Sequence, residues 1–70
     1  MSTYKILDLV GSSKNSWQEA VEEAVAEASK TIDNIVGVEV INNTANVKDG
    51  KIVEYKANVH VAFEVVDEKR

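Results

Sequence analysis

The feature that most restricts the fold is "VKDGKI", Val47 to Ile52, in which Asp49-Gly50 sits between two arms of alternating residues. An Asp-Gly pair in that setting signals a two-residue type I′ hairpin, whose central positions both need positive φ. The downstream arm alternates along its length. Val53, Tyr55, Ala57, Val59, Val61, Phe63 and Val65 share one side, and Glu54, Lys56, Asn58, His60 and Glu64 the other. Run inward from a two-residue turn, the pairing sets Val36 opposite Phe63, Val38 opposite Val61 and Val40 opposite Val59 on the apolar side. On the other side Gly37 faces Ala62, Glu39 faces His60 and Asn43 faces Lys56. A slip of one residue would turn the apolar set to the wrong face, so turn chemistry and hydrophobic pattern support one register.

Upstream, "SWQEAVEEAVAEASKTI" repeats Trp17, Ala20, Val21, Ala24, Val25, Ala28 and Ile32 at three- and four-residue spacing, which lines one helix face. Glu19, Glu22, Glu23, Glu27 and Lys30 fall mostly on the other face. Ser16 and Glu19 have capping-box spacing, and Ser13 is an alternative N-cap one turn earlier. The stripe is narrow and rich in alanine, so its partner can come close. Before it, "YKILDLV" (Tyr4 to Val10) reads as a strand stopped by "GSS", with Tyr4, Ile6 and Val10 on one side and Leu7 and Leu9 on the other. Such a strand predicts cover on both faces.

The expected order is therefore β-α-β-β, an α+β fold. Strands one and two run parallel across the helix, so the third strand takes the centre of an antiparallel sheet, in order 1-3-2. The helix covers the Val53-to-Val65 face. The opposite face carries Ile35, Gly37, Ile41 and Ala62 among Glu39, Lys56, Asn58 and His60. A half-apolar face of this kind is an expected interface or pocket wall.

Composition adds one constraint and several exclusions. A chain of 70 residues, read as one domain over 1–70, buries only about 60% of its unfolded surface. With no cysteine and a single histidine, disulfides and Cys- or His-rich metal sites within one chain are excluded, which leaves oligomerisation as the staple. Twelve acidic against eight basic residues, net −4, disfavour nucleic acid. The absence of a signal-peptide pattern at the start, and of an apolar run of about 20 residues, predicts a cytoplasmic protein with no membrane partner. On that reading the Asn42-x-Thr44 triplet is chance.

"YKILDLVGSS", "SWQEAVEEAVAEASKTIDNI", "VEVI" and "VEYKANVHVAFEV", in this order, resemble the dodecin family over nearly the whole chain. The linear order, the short helix and the "VAFEV" ending carry the resemblance together; no one motif does so alone. It implies a three-stranded antiparallel sheet curled around one helix, and twelve such subunits in a hollow, tetrahedrally symmetric shell. It also implies a protein that stores or quenches riboflavin- or FMN-type flavins and is not an enzyme. In the family a tryptophan near the start of the second strand stacks on the flavin ring, and a glutamine on the third strand bonds its polar edge. Here those positions are Gly37 and Lys56. Loss of a stacked ring removes on the order of 1–3 kcal/mol, so the expectation is a dodecin-like binding or storage protein with flavin binding weakened or lost. Trp17, on the helix stripe, is no evident substitute.

The remaining candidates have plain structural readings beside functional ones. Glu39 and His60 suit a cross-strand pair, contributing roughly 0.2–1 kcal/mol; gathered by symmetry on an axis, they become a divalent-cation site. Glu19 and Glu23 on the helix offer oxygen ligands of the kind calcium takes, although an acidic helix face is normally just solvated. The pocket candidates are thus Gly37, Glu39, Lys56, Asn58 and His60, and the metal candidates Glu39, His60, Glu19 and Glu23. "GSS", as a loop before a helix, could cradle a phosphate or coenzyme A type anion. There is no set of nucleophile, base and orienting group. The alternative function is a calcium-type cation-binding or purely structural dodecameric assembly.

Overall fold

Asp49 and Gly50 adopt φ of 54° and 77°, both positive, as the type I′ turn demands. The computed structural model describes residues 2–66. It contains β1 (Thr3–Ser13), α1 (Trp17–Ser29), β2 (Ile35–Lys48) and β3 (Lys51–Val65). The sheet order is β1-β3-β2, with β3 antiparallel to both neighbours.

The register is as expected at the core and departs from it on either side. Gly37 faces Ala62, Val38 faces Val61, Glu39 faces His60 and Val40 faces Val59. Three bulges interrupt the ladder, leaving Val36, Ile41 and Val53 without partners. Two expected pairs are therefore corrected. Ile35, not Val36, sits opposite Phe63, and Lys56 faces Thr44 while Asn43 faces Ala57. The first bulge also moves Ile35 off the open face: it is half-buried and packs on the core. Val53, placed by alternation on the helix side, is exposed at its bulge.

"GSS" does not stop the first strand. Gly11, Ser12 and Ser13 continue β1 and pair with Ala57, Lys56 and Tyr55. Their backbone belongs to the ladder, so the loop that an anion cradle there would need is not formed. Gly11 is needed for another reason: a Cβ on it would lie 2.0 Å from the carbonyl oxygen of Ala20. The helix thus touches strand backbone, and the alanine stripe is what permits that approach.

The core is small. Ala20, Ala24 and Ala28 of α1 lie on Ala57, Val59 and Val61 of β3, with Leu7, Leu9, Val21 and Ile35 packed around them. Among the described residues valine is the largest fully buried side chain. The helix is capped by Ser16, whose Oγ accepts the Glu19 N–H at 3.0 Å. The reciprocal half of the capping box is replaced. The Glu19 carboxylate accepts from Ser13 Oγ and from Asn15 Nδ2 instead, while Ser13 Oγ accepts the Asn15 N–H at 2.9 Å. Both candidate cap serines are therefore used. The helix ends at Ser29, three residues before the end of its periodic stripe, and Asn34 with φ 66° turns the chain into β2. No helix among the described residues is long and apolar enough to cross a membrane.

Candidate functional site

The regular β1–β3 register and the middle of β2 stack the open face of the sheet, opposite the helix, into rows. Ile6, Ala62 and Gly37 form one row, Asp8, His60 and Glu39 the next, and Val10, Asn58 and Asn42 the third. Glu64 and Lys56 of β3 share this face, because side chains alternate along a strand. At Gly37 nothing lies within 4 Å of where a Cβ would stand. Beside Ala62, it leaves a shallow apolar shelf.

His60 is the hinge of the middle row. Its Nε2 lies 2.6 Å from Asp8 Oδ1 and its Nδ1 3.7 Å from Glu39 Oε1. The expected Glu39–His60 pair is thus the longer of two contacts, and Asp8 the nearer partner. The carboxylates, 81% and 74% exposed, flank an imidazole exposed by 38%. Next to this row lies a cavity of about 310 Å³ lined by Asp8, Val10, Ile41, Asn42, Asn58 and His60, with Leu9 and Val59 at its base. The Asn58 amide donates from Nδ2 to Asn42 Oδ1.

Of the pocket candidates, Gly37, Glu39, Lys56, Asn58 and His60 do share one face. Asn58 and His60 line the cavity and the others lie outside it. The metal candidates divide between two places. Glu19 and Glu23 are on the exposed helix side, and Glu39 and His60 are across the sheet. Among the described residues no group of three or more His, Asp or Glu could hold a metal ion within one chain. Glu19 is occupied structurally: hydrogen bonds from Ser13 and, secondarily, Asn15 hold its carboxyl below the usual range, against a small desolvation effect.

Trp17 lies on the helix side of the sheet, where its Nε1 donates to the Thr44 carbonyl at 2.8 Å and its ring meets Tyr55 edge-on at 4.8 Å. It cannot reach the shelf at Gly37. Asp8 and Ile41 were not legible as neighbours of His60. The alternation Ile6-Asp8-Val10 was the available signal for Asp8, but no tight turn fixes the β1 register as Asp49-Gly50 fixes that of β2.

The sequence model of the dodecin family matches residues 3–66. The chain belongs to the dodecin family. Among curated dodecins, the calcium dodecin of Mycobacterium tuberculosis is 34% identical over 65 residues, covering 93% of this chain and 92% of the relative. A crystal structure of calcium dodecin from that organism, described as a calcium-chelating antigen with a novel calcium-binding site, superposes with a TM-score of 0.79 at 34% identity and 99% coverage of both chains. Dodecin from Streptomyces davaonensis reaches a TM-score of 0.88 at 27% identity, covering 94% of this chain and 97% of its own. The β-α-β-β dodecin fold with sheet order 1-3-2 is thus that of this chain.

Proposed function

We infer that this chain is a small-molecule binding or storage protein of the dodecin type, assembled from twelve copies, in which flavin binding is weakened or lost. The observation that carries this reading is the open space at Gly37, next to Ala62. On the resemblance, a ring-stacking side chain belongs at that point, and Lys56 stands where the amide that bonds the flavin edge belongs. A lysine offers only donors, whereas a glutamine both donates and accepts. Trp17, on the far side of the sheet, does not compensate.

A second reading is supported by the Asp8–His60–Glu39 row and by the 34% identity to a relative named calcium dodecin. In it, copies of the chain meeting on a symmetry axis complete a calcium-type site from exposed carboxylates. Calcium takes about six to eight oxygen ligands, more than one row supplies, so the site depends on assembly.

Titration with riboflavin at micromolar protein tests the first reading. The expected outcome is little or no fluorescence quenching by the wild type and a gain on Gly37→Trp. Strong quenching by the wild type sinks it. For the second reading, the melting temperature of the assembled protein should rise with calcium and fall back with chelator; indifference to both removes it.

A further inference from the structure

We propose that the cavity beside the Asp8–His60–Glu39 row is a binding site for a small organic cation carrying a single flat apolar ring. The inference rests on the reading that this face holds a small ligand other than flavin, and it names the ligand's chemistry. Three observations converge on it.

The cavity, about 310 Å³, is at the small end of ligand pockets, which start near 300 Å³, and has room for a single-ring ligand. Its lining is apolar at Val10 of β1 and Ile41 of β2, both exposed. The row beside it carries a net negative charge. Asp8 stands on the lining and Glu39 lies on the far side of His60. Even with the imidazole protonated, the row keeps a net charge of −1, since it holds two carboxylates and one histidine. An anionic or phosphorylated ligand is repelled there, and a neutral one forgoes the carboxylate.

The polar groups suit an amidinium or protonated amino group. Asp8 engages His60 through Oδ1, and a carboxylate has two oxygens, so Oδ2 remains as an acceptor. Asn58, which lines the cavity, donates to Asn42 through its Nδ2, and its own side-chain oxygen is an acceptor by type. A planar cation with its ring against Val10 and Ile41 can donate to both.

Three isosteric probes separate charge from shape: benzamidine (cationic), benzamide (neutral) and benzoate (anionic), titrated into the assembled protein and followed by calorimetry and by NMR shifts at His60. Benzamidine should bind more tightly than benzamide by roughly fivefold, near the upper limit for a partly exposed charge pair, and benzoate should not bind. Asp8→Asn should abolish the preference for benzamidine over benzamide, while Glu27→Gln, on the outer helix face, should leave it intact. Equal binding of benzamidine and benzamide by the wild type overturns the proposal without reference to any variant. So does binding of neither, the result expected if a second copy of the chain covers the cavity. A parallel riboflavin titration keeps the two readings apart. No quenching with no benzamidine binding removes this proposal alone, whereas strong quenching removes the altered-flavin reading beneath it.

Discussion

The missing side chain at position 11 sets how close the helix lies to the sheet. A Cβ there would stand 2.0 Å from Ala20 O and 3.0 Å from Ala24 Cβ. The first contact is with backbone, so no rotamer change relieves it. Gly11→Ala should destabilise by at least the ~1–3 kcal/mol typical of overpacking, read as a lower denaturation midpoint at unchanged m-value; a neutral result would show that the helix can lift freely. Gly37, with nothing within 4 Å, carries no such penalty, and there substitution tests ligand binding. Glu19 makes a different kind of prediction. Its folded carboxyl is held low by Ser13 and Asn15, so it stabilises the fold above the unfolded value of about 4.3. That contribution is lost as pH falls through the lower folded value. Glu19→Gln should melt below wild type at neutral pH and converge with it in acid, in a series of melting temperatures against pH. Parallel curves would exclude a role for the Glu19 charge.

At the scale of elements, the turn is the most demanding piece of local chemistry. Gly50 at φ 77° occupies a region that disfavours a Cβ, and nothing else crowds it. Gly50→Ala should therefore cost about 1 kcal/mol or somewhat more, through backbone strain alone. Denaturant titration checks this, and an unchanged midpoint would mean that the turn has relaxed to another type. This same local chemistry explains what was legible. Asp49-Gly50, the period-two arm and the alanine stripe each act over a few residues, so strand order, helix and the Gly37-to-Val40 register could be read from the sequence. The bulges at Val36, Ile41 and Val53 could not. Nothing in those three residues favours a bulge; a bulge accompanies the bending of its own strand in three dimensions, β2 at Val36 and Ile41 and β3 at Val53. Their consequences explain the misread contacts. Ile35 moved to the core, Ile41 and Asn42 came to share one end of the cavity, and Asn43 lost Lys56. "GSS" misled for a related reason: Gly11 looked like a strand stop because the helix that requires a glycine there is nine residues further along.

At the scale of the molecule, the chain exposes more surface than its mass predicts. Its accessible surface is 5292 Å², against about 4,300 Å² for a folded monomer of this size, and its extents of 59 × 20 × 13 Å show a long hairpin that one 13-residue helix cannot cover. Among the described residues six buried ones, all alanine or valine, form the core, while Tyr4, Ile6, Val36, Val47 and Ile52 are exposed. At ~25 cal/mol per Å² of apolar surface, an isolated chain leaves much of its available hydrophobic stabilisation unrealised. Copies of the chain are the natural cover, as the proposed twelve-copy shell supplies. If association provides the missing core, dissociation and unfolding form one coupled transition, and mass action makes its midpoint depend on protein concentration. The melting temperature should then fall as the protein is diluted. Size-exclusion mass should stand near twelve times the 7.7 kDa chain until circular dichroism begins to fall, with no folded monomer between. A monomer or dimer that melts at one temperature at every concentration would sink the assembly, since the small alanine–valine core would then suffice by itself.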